Sequence, residues 1–143
     1  YLTQAEQEGL SCLTGGMVKE GFFVTPTVYE NVPATSVLWN EEIFGPVLCV
    51  APFSAVDDAI EKANDSEFGL AASVVAKDKA SALKIANQLR AGVIWVNTNQ
   101  VVLPQLSWGG FGQSGIGREL GISGLLSFTE LKHIIVELDE GSE

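Results

Sequence analysis

Pro46-Val47-Leu48-Cys49-Val50-Ala51-Pro52, Ala71-Ala72-Ser73-Val74-Val75-Ala76 and Val93-Ile94-Trp95-Val96 are three short apolar runs rich in β-branched residues. The intervals between them have helical periodicity. In the first, Val56, Ala59, Ile60 and Ala63 recur at i, i+3, i+4 and i+7, an apolar stripe backed by Asp57, Asp58, Glu61 and Lys62. Ser54-Ala55-Val56-Asp57 has the form of a capping box at its start, and Asn64-Asp65-Ser66 ends it. In the second, Ala82, Ile85, Ala86 and Leu89 share a stripe, Asp78 is placed to cap the N-terminus and Gly92 to serve as the C-terminal cap. Residues 46 to 96 thus spell β-α-β-α-β. That order predicts an α/β fold with a parallel sheet and right-handed crossovers.

Outward from this unit the pattern is looser. Residues 21 to 29 read as extended segments broken at Pro26, which has no N–H for a central ladder. Residues 97 to 117 read as a long glycine-rich loop, and residues 118 to 126 as a short helix. Lys132-His133-Ile134-Ile135-Val136-Glu137-Leu138 reads as a final strand with no partner in so small a chain, so pairing with another subunit is expected. The acidic end, residues 139 to 143, is expected to fray.

The 143 residues suffice for one domain with a single core. With 46% hydrophobic and 18% charged residues, most of the chain should be packed. A net charge of −10 opposes nucleic acid and anionic lipid. No apolar run approaches the roughly 20 residues of a membrane span, and the first residues lack the shape of a signal peptide. Cys12 and Cys49, in no CxxC or Cys/His spacing, indicate neither a disulfide framework nor a metal site; a reducing, cytoplasmic location is expected, with an organelle left open. The chain begins without Met, which suggests a cleaved, truncated or partial polypeptide, and Gly141-Ser142-Glu143 is not a peroxisomal tag.

Glu41-Glu42-Ile43-Phe44-Gly45-Pro46-Val47 resembles the Glu/Phe motif of the aldehyde dehydrogenase superfamily. The similarity continues, in the family's order, through Ala63-Asn64-Asp65-Ser66-Glu67-Phe68-Gly69-Leu70-Ala71, Gly92-Val93-Ile94-Trp95-Val96-Asn97 and Trp108-Gly109-Gly110-Phe111-Gly112-Gln113-Ser114-Gly115-Ile116-Gly117-Arg118-Glu119-Leu120-Gly121. Residues 38 to 50, with Trp108 before the double glycine, look most like the betaine aldehyde and aminoaldehyde dehydrogenases. The resemblance implies that residues 1 to 126 are the C-terminal part of a catalytic domain and that residues 127 to 143 form an oligomerisation strand and tail. It further implies a cysteine thiolate that attacks the aldehyde, hydride transfer to NAD or NADP, and hydrolysis of the resulting thioester.

Little of that chemistry is expected within this chain. The family's nucleophile follows a Gly-Gln-x-Cys pattern, which neither Cys12 nor Cys49 matches, so both read as structural thiols. The general-base glutamate, oxyanion asparagine and dinucleotide-binding turn are expected upstream. What the resemblance assigns here is Glu42, as acceptor for the nicotinamide ribose hydroxyls, and Phe44, as the aromatic beside the nicotinamide ring. Trp108 looks like an aromatic at the mouth of the substrate tunnel, where its face can hold a cationic group; Gln100, Val102 and Gln105 share its loop as further tunnel residues. Asn97 is similar to a family residue that holds the catalytic loop.

Other features have plainer readings. Gly110-Phe111-Gly112-Gln113-Ser114-Gly115 fits G-x-G-x-x-G, but thirteen residues separate Val96 from Gly110, whereas a dinucleotide fingerprint starts directly after its strand. Gly109, Gly110, Gly115 and Gly117 then serve tight backbone paths. Arg118 and Glu119 read as an interface or helix-start pair, and His133 as a strand residue without catalytic partners. The leading expectation is part of an aldehyde dehydrogenase, inactive alone, that joins the enzyme's N-terminal part in a dimer or tetramer. The rivals are a truncated, non-catalytic relative that assembles through its last strand, and a free-standing dinucleotide-binding module.

Overall fold

A computed structural model describes residues 1–98 and 100–137. The β-α-β-α-β alternation is present: β3 (Val47–Val50), α3 (Val56–Asn64), β4 (Ala71–Val74), α4 (Lys79–Ala86) and β5 (Val93–Val96). Upstream lie α1 (Leu2–Gln7), β1 (Ser11–Thr14), β2 (Thr27–Glu30) and α2 (Val37–Asn40). Downstream come a 3₁₀ turn (Gly112–Ser114) and α5 (Gly121–Leu126).

The α/β class and the parallel pairing hold, but the parallel strands divide between two sheets. β3 lies parallel to β2, with Tyr29 opposite Cys49, and β1 adds antiparallel on the far side of β2, with Cys12 opposite Tyr29. β4 pairs in parallel only with β5, Ser73 facing Trp95, in a separate two-stranded sheet. Spacing requires that a helix separate parallel neighbours, but leaves open beside which strand the chain returns. Here α2 makes one such return, from β2 to β3, and α4 the other.

The main core lies where α1 and α2 meet the first sheet. Ala5, Tyr29, Val32 and Leu38 are buried together, with Leu2, Leu10, Trp39, Ile43 and Cys49 packed around them. Thr27, at 1% exposure, is the largest fully buried side chain among the described residues; its hydroxyl accepts from Gly16 N–H at 2.9 Å and donates to the Thr25 carbonyl at 2.8 Å. Ile60, Val74 and Ala82 are buried in the second half, but Val56 and Ala63 of the expected stripe are exposed.

The expectation that most of the chain is packed fails. Its accessible surface is 11259 Å², against roughly 7,100 Å² for a folded monomer of this size. Much of the excess is apolar: Phe22, Phe44, Ile116, Phe128, Leu131 and Ile135 are all more than 90% exposed. The expected terminal strand is not formed within the chain. Residues 130 to 137 have no regular structure, Ile134, Ile135 and Val136 are exposed, and Leu138 and the acidic end lie outside the described residues. No helix among the described residues is long and apolar enough to cross a membrane.

The helix ends also differ in part from expectation. Asp78 does cap α4, its Oδ2 accepting from Ser81 N–H at 2.8 Å. The box at Ser54 does not form: Ala55 is the N-cap of α3, and Asp58 accepts from Ser54 N–H at 3.1 Å and from Lys62 Nζ at 3.0 Å. Gly92 is not a helix cap, because α4 already ends at Ala86 with Asn87 as cap. Its glycine is required by a chain crossing: a Cβ there would stand 1.7 Å from the Gly109 carbonyl oxygen.

Three outcomes follow for the longest natural polypeptide that carries this sequence. Thr27→Val leaves the Gly16 N–H unsatisfied and should cost about 1–3 kcal/mol in urea unfolding, while Thr27→Ser costs less. Gly92→Ala forces the crossing chains apart and should cost about 1–3 kcal/mol, read as a lowered thermal midpoint. Asp58 and Asp78 are both held below the usual carboxylate range, Asp58 by Lys62 and the Ser54 N–H, Asp78 by the Ser81 hydroxyl and N–H. Their stabilising contribution is complete above the unfolded-state value near pH 4 and is lost as pH falls through the lower folded-state values. The midpoint should therefore drop below about pH 4, and less steeply in Asp58→Asn/Asp78→Asn.

Candidate functional site

Ser36 caps α2, accepting from Leu38 N–H at 3.1 Å, and Asn40 at its far end donates to the carbonyls of Ala34 and Ser36. The helix is thus one tight turn with both ends tied. Beyond it the backbone bends sharply twice, with Gly45 N–H on the Ile43 carbonyl at 2.7 Å and Val47 N–H on the Gly45 carbonyl at 2.8 Å. Ile43 packs onto the core, while Glu42 and Phe44 on either side are exposed, Phe44 to 93%. The Tyr1 hydroxyl donates to Glu41 at 2.7 Å, which raises the Tyr1 pKa and ties α1 to this turn.

Glu42 lines a cleft of about 480 Å³ with Trp39, Asn64, Gly69, Arg90 and Ser114. Asn64 organises one wall: its amide donates to the Gln88 carbonyl at 2.8 Å and its Oδ1 accepts from Arg90 N–H at 2.7 Å. From sequence, Asn64 reads only as a helix terminator inside a family motif; its bond to residues more than twenty positions away has no local signal. Phe44 is not among the residues lining this cleft.

Trp108 stands elsewhere. With Ile94, Val102 and Leu106 it lines a hollow of about 220 Å³ that shares no residue with the Glu42 cleft. Gln100 and Gln105 are exposed and do not line it, so of the four expected tunnel residues the structure brings together Trp108 and Val102. Trp95, which reads from sequence as a strand residue alone, lies with its ring 6.0 Å from that of Trp108. Asn97 holds a positive φ of 54° and its Oδ1 accepts from Ala76 N–H at 2.8 Å, pinning the chain after β5 to the chain after β4.

The glycine-rich loop is a strapped turn rather than a dinucleotide site. Trp108 and Glu119 exchange backbone hydrogen bonds at 2.7 and 2.8 Å, and Phe111 N–H and Gln113 N–H donate to the carbonyls of Gly69 and Glu67. A 3₁₀ turn, not an α-helix, follows Gly110. Arg118 is not a helix-start partner of Glu119, because α5 begins only at Gly121. Its guanidinium donates to the carbonyls of Gly110 at 2.9 Å and Gly117 at 2.7 Å and lies over the Phe111 ring, so it closes the loop.

Cys12 is exposed and Cys49 is half-buried. Burial pushes the Cys49 thiol up, and the Cys12 sulfur donates to the Thr14 carbonyl at 3.2 Å. The two flank Tyr29 on one rung of the sheet, so their backbones are separated by two strand spacings, roughly 9–10 Å, too far for a disulfide. His133 is exposed. No group of three or more potential metal-ligating residues occurs among the described residues.

Comparison with known proteins places these features in one lineage. Residues 1–134 match the model of the aldehyde dehydrogenase family. An aminoaldehyde dehydrogenase 2, peroxisomal, of Malus domestica is 42% identical over 94% of this chain and 27% of its own length. A chloroplastic betaine aldehyde dehydrogenase of Beta vulgaris is 38% identical over 96% of this chain and 28% of its own. A betaine aldehyde dehydrogenase of Staphylococcus aureus, solved with NAD+, superposes with a TM-score of 0.86 at 40% identity, covering 90% of this chain and 26% of that one. This chain spans under a third of the relatives it matches. The sequence match and the shared fold make the chain a member of the aldehyde dehydrogenase family.

Proposed function

We propose that this chain is the C-terminal part of an NAD(P)-dependent aldehyde dehydrogenase that oxidises betaine aldehyde or an aminoaldehyde to the acid. The observation that carries the reading is the outward presentation of Glu42 and Phe44 from a turn held by Ile43, in a chain that aligns with dehydrogenases along nearly its whole length. The relatives' names and the NAD+-bound structure support the substrate class and the cofactor.

The residues fit the cofactor. Among the described residues no side chain hydrogen-bonds the Glu42 carboxylate, so both oxygens can accept from a ribose diol. The exposed Phe44 ring can rest against the nicotinamide and restrict its tilt. Bound NAD would supply the hydride acceptor. Trp108 and Val102 would line the aldehyde's path, and Gln100 and Gln105 belong to the same loop. A cationic substrate tail can lie against the Trp108 face, a contact of about 0.5–2 kcal/mol.

The nucleophile, the general base and the dinucleotide-binding turn we place in polypeptide outside this chain. Two observations support this: burial pushes the Cys49 thiol up, away from the thiolate a nucleophile needs, and the exposed area exceeds that of a folded monomer by far more than the roughly 800 Å² per partner of an ordinary interface. Surface on this scale resembles a domain cut through its core. An organellar location fits the chain as well as the cytoplasm, given peroxisomal and chloroplastic relatives.

A second reading, a non-catalytic relative that assembles through residues 132 to 137, draws on their exposed Ile134, Ile135 and Val136. Native mass spectrometry separates the two: association with an N-terminal dehydrogenase segment supports the first, and stable association with unrelated proteins the second.

The 143-residue chain alone should show no NAD-dependent oxidation of betaine aldehyde or an aminoaldehyde above a no-protein control; turnover by it would refute the division of labour. In the longest natural polypeptide, Glu42→Ala should raise KM for NAD roughly tenfold or more with an unchanged thermal midpoint. An unchanged KM would remove Glu42 from the cofactor site.

A further inference from the structure

We propose that Trp95 is a positioning residue, which fixes Trp108 and the loop of residues 100 to 106 through its indole. The functional consequence rests on the reading of Trp108 as a substrate-tunnel wall; the tie itself does not. Trp108 has its backbone strapped to Glu119, which leaves the orientation of its ring to side-chain contacts. One such contact is Trp95, whose ring centroid lies 6.0 Å away at an interplanar angle of 45°, within the range of favourable tilted aromatic pairs.

The same indole holds the loop. Its Nε1–H donates to the Val101 carbonyl at 2.9 Å. The loop needs such a hold, because Gln100 adopts a positive φ of 57°, a conformation uncommon for a long side chain and kept where the surroundings hold it. On the same rung, Ser73, which faces Trp95 across the β4–β5 pair, donates to the Thr98 carbonyl at 2.9 Å. Two neighbouring side chains of a paired rung thus grip two carbonyls of one loop. A tryptophan needed only to fill space would not have to aim its N–H at a loop that carries Val102 and leads to Trp108. Through this arrangement β5 sets both the hollow's aromatic wall and the segment that closes it.

The test uses the longest natural polypeptide carrying this sequence, labelled with 5-fluorotryptophan. The Trp108 and Trp39 resonances are assigned by their loss in Trp108→Phe and Trp39→Phe. Trp95→Phe, which keeps a ring and deletes the donor, should shift the Trp108 resonance and leave that of Trp39 in place. It should also raise KM for a cationic aminoaldehyde roughly three- to tenfold relative to an uncharged aldehyde of similar length, with kcat and thermal midpoint little changed. Trp95→Tyr, with a hydroxyl donor at the ring's end, should recover part of the loss, and it replaces Trp95→Phe if that variant does not fold. An unmoved Trp108 resonance overturns the proposal. So does an equal KM rise for both aldehydes with a lowered midpoint, the mark of a merely structural residue. A shifted Trp108 resonance with no change in either KM upholds the tie and refutes Trp108 as a substrate wall.

Discussion

Gly69 is the peptide on which the second half of the molecule hangs. Its carbonyl accepts from Gly92 N–H and from Phe111 N–H, each at 3.0 Å, and its own N–H donates to the Ser114 hydroxyl at 3.0 Å. One residue therefore joins the segment after α3, the entry to β5 and the glycine-rich loop. Three chains can meet there only if they come within backbone contact, which is why the neighbours at the junction are glycines and why a methyl group at Gly92 has no room. The position of Trp108, at the head of that loop, descends from this meeting point.

Local chemistry reads well from the sequence and non-local chemistry does not. The helices α3 and α4 are legible because a 3.6-residue period is a property of a short window, and Asp78 is legible as a cap because its partner is three residues away. The division of the strands between two sheets is invisible to any window, since β3 meets β2 across the α2 connection and never meets β4 among the described residues. Glycine misleads in a particular way: Gly92 carries the signal of a helix cap, but a close crossing with Gly109 makes the same demand on the residue type. The four-residue elements β1 and α2 leave no period to find, and the cap at Ser36 shows only once the turn around it is known.

The candidate site divides along the same line. Glu42 and Phe44 stand out as a motif, and their exposure follows from Ile43 between them, a pattern visible in the sequence once one of the three is known to face inward. The Glu42 cleft and the Trp108 hollow share no lining residue, so the proposed cofactor edge and the proposed substrate wall are distinct surfaces within this chain. Asn64, Asn97 and Trp95 escape sequence reading because each acts through a hydrogen bond to the main chain of another segment, and a backbone acceptor has no letter in the alphabet.

The rung formed by Cys12, Tyr29 and Cys49 has a chemical consequence of its own. With a phenol ring's strand interposed, the two sulfurs have no path to each other, so oxidants cannot lock the first sheet with an internal cross-link. The exposed Cys12 remains open to a small thiol or to another molecule, while the half-buried Cys49, with its thiol held protonated by burial, is the slower to react. Oxidative damage would therefore begin at the sheet's rim, as an adduct on β1, and leave the packing around Tyr29 intact.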